Sequence, residues 1–134
     1  MATDEFERLA SIGQLRREPF DRREFDALVR SGRTRLTDAR TSVLSLESRF
    51  DLAYNAAHAL SLAALRKQGY RSEHRYIVFQ LLPLTTGVPT AVWRILAKCH
   101  GIRNAAEYEG VIDLDDRLVL SLIDATEAVF IAVR

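Results

Sequence analysis

The sequence predicts an all-α fold, a single-domain bundle of five or six helices. Three observations carry that expectation. Apolar residues recur at three- and four-residue steps through long blocks. Residues that start helices (Asp21, Ser42 or Ser45, Asp113 to Asp116) and a glycine that ends one (Gly69) fall at the block edges. Nowhere do apolar and polar residues alternate between turn signals, as they would along a half-buried strand. At 134 residues the chain has the length of one domain and can bury a core.

Residues 4–20 read as a short helix carrying Phe6, Leu9, Ala10 and Ile12, followed by a turn at Glu18-Pro19. Asp21 caps a second helix reaching about Thr41, with Phe25, Leu28, Val29, Leu36 and Ala39 at helical steps. Gly32 in its middle weakens it by about 1 kcal/mol against Ala. Residues 1–41 are therefore expected to form an arm packed on the bundle, and 42–134 the bundle itself. The helix that Ser42 or Ser45 opens runs to Lys67, with Gly69 in the C′ position. Its wide apolar face (Leu46, Phe50, Ala53, Tyr54, Ala57, Leu60) makes it the central helix, and its alanines let a neighbour approach closely. His58 on this helix reads as a packed histidine rather than a ligand. Ser72 and Glu73 open a helix to about Leu84, with Tyr76, Ile77, Phe79, Gln80 and Leu81 directed inward. Pro89 suits the first position of the next helix, which continues to Gly110. The last helix follows Asp113-Leu114-Asp115-Asp116, and its apolar stripe is broad enough for burial on two sides. That surplus, with the alanines of the central helix, predicts a homodimer seamed on one of these two helices.

Charge narrows the function classes. The net charge is only +1, yet it is unevenly spread. Arg66 to Arg103 holds seven basic residues against the single acid Glu73, whereas Asn104 to Arg134 holds seven acids against Arg117 and Arg134. A basic middle beside an acidic tail either packs together and compensates or leaves a phosphate-binding face. Tyr70, Tyr76 and Trp93 lie in the basic stretch as stacking surfaces for single-stranded RNA. No run of about 18 apolar residues predicts a membrane span. One cysteine, Cys99, and an N-terminus without an apolar signal segment predict a cytoplasmic location. His58, His74 and His100 are too scattered for a metal site, and no phosphate loop or nucleophile elbow is present, so no metal or cofactor is expected.

The chemistry concentrates at the end of the helix from Trp93 to Gly110. At about 100° per residue, His100, Arg103, Asn104 and Glu107 share one stripe, and Tyr108 adds a ring and a hydroxyl. The segment Arg103-Asn104-Ala105-Ala106-Glu107-Tyr108 resembles the signature region of the HEPN family of small helical-bundle proteins. Arg49 to Ala59 resembles the tyrosine- and alanine-rich helix that precedes that region in the family. Gly69-Tyr70-Arg71 and His74 fall where that helix ends and the next begins. The resemblance covers roughly residues 30–134. Nuclease members carry an Arg followed four to six residues later by His, and counting from Arg103 that position holds Tyr108. The chain thus resembles the branch with Arg, an acidic residue and Tyr, in which nuclease activity is not implied.

The resemblance implies a non-catalytic, dimeric binding module that engages RNA, a nucleotide or a small nucleotidyltransferase, as in toxin–antitoxin-like pairs. The expected binding residues are Arg103, Asn104, Glu107, Tyr108, His100, Arg71 and His74. The alternative is a metal-independent ribonuclease in which Arg103 stabilises phosphorane-like charge and His100 or His74 serves as general base. Tyrosine, with a pKa of about 10, is a poor substitute for that base at neutral pH.

Overall fold

A computed structural model describes residues 2–110 and 113–134. In chain order these form α1 (Ala2–Ser11), β1 (Arg16–Arg17), α2 (Arg22–Ala39), α3 (Leu46–Lys67), β2 (Tyr70–Arg71), α4 (Arg75–Gln80), α5 (Leu82–Thr85), α6 (Thr90–Glu109) and α7 (Asp116–Val133). The fold is an all-α bundle. Among the described residues, no helix is long and apolar enough to cross a membrane.

The helix starts follow the capping chemistry of the sequence. The Asp21 carboxylate accepts from the Arg23 and Glu24 amides, Ser45 Oγ from the Ser48 amide, and Asp115 Oδ1 from the Leu118 amide. Gly69 and Gly110 follow α3 and α6 at φ +88° and +73°, where a side chain would be strained. Around α3 the bundle is built: eleven of its 22 residues are buried, more than one amphipathic stripe supplies, so neighbours cover it from several sides. Along one side lies α2, so close at Gly32 that an added Cβ would sit 2.5 Å from Leu60 Cγ. On another lies α7, whose buried Thr126 hydroxyl reaches the Leu122 and Ala53 carbonyls. Arg49 Nε donates to the Ala39 carbonyl at 2.8 Å, tying the end of α2 to the start of α3. The small residues of α3 are thus occupied within the chain.

Two cores result. The larger joins α2, α3, α6 and α7 around Phe50, Tyr54, Leu60, Leu96 and Leu122. The smaller lies under the N-terminal segment, where Phe6 and Leu15 meet Leu65, Tyr70, Val78 and Leu81.

The structure departs from the sequence reading at four places. Arg16–Arg17 pairs antiparallel with Tyr70–Arg71; a two-residue ladder is too short to show alternation. The helix expected over 72–84 is two helices. Pro83 has no amide hydrogen to return to Phe79, and α4 stops at Gln80 before α5 restarts at Leu82. Its start is also later, at Arg75, because Ser72 Oγ accepts from the His74 amide and holds a turn there. Of the side chains directed inward, Ile77 is half-buried and Phe79 and Leu81 are buried, but Tyr76 and Gln80 face solvent. Pro89 occupies the N-cap of α6, one residue before the expected position.

Candidate functional site

The C-terminal half of α6 faces the start of α4 across the Tyr54 ring. Tyr54 lies on the central helix because its spacing puts it on the apolar face, and it is fully buried. Phe50 stacks beside it and Phe79 meets it edge-on. Two guanidiniums lie against this ring: Arg103 Cζ is 5.0 Å from its centroid and Arg75 Cζ 5.5 Å. Each contact has cation–π geometry.

Polar contacts fix the same group. His100 Nδ1 is 2.8 Å from the Tyr54 hydroxyl and its Nε2 is 3.2 Å from Asn104 Nδ2. With Asn104 Nδ2 as the donor, Nε2 accepts and Nδ1 carries the ring proton toward the phenol. Burial lowers the His100 pKa, and the charges of Arg75 and Arg103 lower it further. Arg103 Nη1 donates to Glu107 Oε1 at 3.2 Å, one helical turn on. Arg75 Nη1 reaches Asn55 Oδ1 at 3.4 Å and has no carboxylate partner among the described residues.

These side chains line a cleft of about 430 Å³, with His74, Tyr76 and Glu73 on its rim. Its cations are Arg75 and Arg103, and its single acid is Glu73. Arg75 stands in the first turn of α4, where the helix dipole disfavours a cation. Helix stability does not require its charge. On its other side Arg103 borders a cavity that includes Glu47, Asp51 and Glu107, so the cation divides a basic cleft from an acidic one. Among the described residues, no group of three His, Cys, Asp or Glu side chains could hold a metal ion.

Of the residues expected from sequence, the structure gathers His100, Arg103, Asn104 and His74 into the cleft. Glu107 reaches it only through Arg103. Tyr108 is 91% exposed, because five residues turn it about 140° away from Arg103 on the helix. Arg71 belongs to a different cluster, where it binds the carboxylates of Glu18 and Glu24. Sequence reasoning misses Tyr54 as a site residue because its spacing marks a core aromatic, which it also is. Arg75 is one of seven basic residues in a run, and only its place beside Tyr54 distinguishes it.

Comparison with family models, curated proteins and solved structures gives no match for this chain.

Proposed function

We propose that this chain is a binding module for a phosphate-bearing ligand, an RNA strand or a nucleotide, held in the cleft between α4 and α6 and left uncleaved. The observation that carries the reading is the convergence of Arg75 and Arg103 on one buried aromatic ring, in a cleft with one acid. A guanidinium offers a planar fork of donors to phosphate, and stacking on Tyr54 pre-orients both forks. The resemblance to HEPN domains supports the same class and adds a small nucleotidyltransferase as the protein partner it implies.

The binding reading is favoured over the ribonuclease reading by the condition of His100. General-base catalysis needs a nitrogen free to take a proton from the attacking hydroxyl. Both nitrogens of His100 are engaged, one by Tyr54 and one by Asn104. In this reading His100 positions the Tyr54 ring and the Asn104 amide.

A fluorescent adenine nucleotide titrated at low ionic strength tests the reading. Arg75→Gln and Arg103→Gln should each weaken binding by about tenfold or more, as expected for loss of a charge-assisted hydrogen bond. Helical circular dichroism should stay unchanged, since the Arg103–Glu107 pair is partly exposed and of small energetic value. Absence of binding by the unaltered chain rejects the proposal. So does cleavage of RNA that His100→Ala abolishes.

A further inference from the structure

The cleft between α4 and α6 adjoins other cavities. A second, of about 490 Å³, shares Glu73 and Arg75 with it and continues past His58 to Arg16 and Arg71. A third, of about 290 Å³, shares Arg16, Arg71, Ser72 and Glu73 with the second and ends at Gly13. The three run from the end of α6, across the start of α4, to the β1–β2 ladder.

We propose that they form one groove for a single strand of RNA, with Arg103, Arg75 and Arg16 as successive phosphate contacts and Glu73 as the acid that a bound strand displaces from Arg16. The inference rests on reading the cleft as a phosphate site and extends that site along the surface.

Arg16 and Glu73 give the extension its physical basis. Arg16 Nη1 lies 3.3 Å from Glu73 Oε1, and Arg16 Nη2 lies 3.6 Å from Glu18 Oε1. The Arg16 side chain is 58% exposed and that of Glu73 is 78% exposed. A pair so exposed holds its partners weakly and exchanges readily for a phosphate. Arg71 behaves differently. Its guanidinium is committed to Glu18 and Glu24, which leaves Arg16 as the more exposed, weakly paired cation. Glu73 borders all three cavities and is the only acid between Arg66 and Arg103. It sits where it opposes a polyanion most.

A single nucleotide needs only one of these cavities, since small-ligand pockets begin at about 300 Å³. A strand uses the whole series. RNA is favoured over an acidic peptide by Tyr76, which borders the cleft and is 46% exposed. Trp93 braces its ring edge-on at 6.2 Å. A braced, exposed ring beside a line of cations suits a base stacked next to its own phosphate.

Fluorescence anisotropy on the whole chain tests the groove with two probes, the adenine nucleotide and single-stranded RNA of about ten nucleotides. The RNA should bind more tightly than the nucleotide. Its log K should fall with log salt at a slope near −2, roughly −0.7 for each of three phosphates. Arg16→Gln should weaken RNA several-fold and reduce that slope by about 0.7, with nucleotide binding unchanged. Glu73→Gln should tighten RNA binding. If the nucleotide binds but Arg16→Gln leaves RNA affinity and slope unchanged, the groove is overturned and the cleft stands. If neither probe binds, both fall together. If RNA fails to bind while a polyglutamate peptide displaces the nucleotide, the surface serves an acidic peptide and the inference is wrong.

Discussion

His58 shows how one side chain carries both a packing and a proton-linked role. It lies one turn after Tyr54 on α3 and meets the Phe79 ring edge-on at 6.2 Å. The sequence favours a packed histidine at this position over a ligand, and the structure places it in that setting. Burial, with the Arg75 charge nearby, lowers its pKa from 6.5 to about 4. Between those values the unfolded chain binds the proton and the folded chain does not. The resulting stability is fully present above pH 6.5 and is lost as pH falls toward 4. The loss is at most about 3 kcal/mol. His58→Gln should flatten the dependence of the urea midpoint on pH between about 6.5 and 5.5, above most of the range where carboxylates titrate. His100 is lowered for a similar reason and contributes its part in both proteins. An identical slope in variant and parent would show that His58 takes up its proton without cost. The same scale explains what the sequence hid. Tyr54 and Arg75 have ordinary neighbours in the chain, and their meaning comes from ring and guanidinium meeting across α3 and α4.

Between elements, the close approach of α2 to α3 turns on Gly32. By propensity alone, Ala at this position strengthens the helix by about 1 kcal/mol. Leu60 is fully buried opposite it, however, and the new Cβ would lie 2.5 Å from Leu60 Cγ and 2.6 Å from Cδ2. Overpacking of this kind costs about 1–3 kcal/mol, so Gly32→Ala should destabilise the protein on balance. Gly101, inside α6, is open: a Cβ added there would meet nothing within 4 Å among the described residues. Gly101→Ala should therefore stabilise by about 0.5–1 kcal/mol. Thermal melts of the two variants should shift in opposite directions. If Gly32→Ala also melts higher, Leu60 has room to yield and the contact is looser than its geometry implies. Element starts were legible because Asp21, Ser45 and Asp115 cap through local contacts. The division of α4 from α5 was less so: Pro83 marked a limit, but a tight restart at Leu82 depends on what Phe79 and Leu82 bury, and burial is a tertiary property.

At the scale of the molecule, the basic middle of the chain is compensated from an unexpected quarter. Few of its cations meet the acidic tail; Arg103 with Glu107 is a pair that crosses. Arg66 and Arg71 instead bind Glu18 and Glu24 near the N-terminus. Arg66 is 1% exposed and its guanidinium also donates to the Glu18, Pro19 and Tyr70 carbonyls. Such partners, 47 residues apart in sequence for Arg71 and Glu24, cannot be read from charge runs. The N-terminal segment is thus fastened over the smaller core by carboxylates. Glu7 accepts from the Arg17 guanidinium and from the Tyr70 hydroxyl, and these hydrogen bonds lower its pKa. The Arg71 hydrogen bond lowers that of Glu18. Burial raises Glu24, but its bonds from Arg71 and Arg66 outweigh that and leave it below its ordinary value of 4.5. For each carboxylate the folded pKa is depressed, so its contribution is present above pH 4.5 and is lost as pH falls through the folded value. The larger core has few comparable fastenings among the described residues, Arg40 with Glu127 being an exposed one; its own proton-linked loss, at His58, falls between pH 6.5 and 4, and below that range it depends chiefly on apolar burial. Acidification to about pH 3.5 should therefore free residues 2–18 before the helices α3 and α7 open. Amide hydrogen exchange, corrected for the intrinsic effect of pH, should show protection lost first in α1 and the β1–β2 ladder. Equal loss of protection along the whole chain would mean that the two cores unfold as one unit, and that the carboxylates stabilise the molecule as a whole.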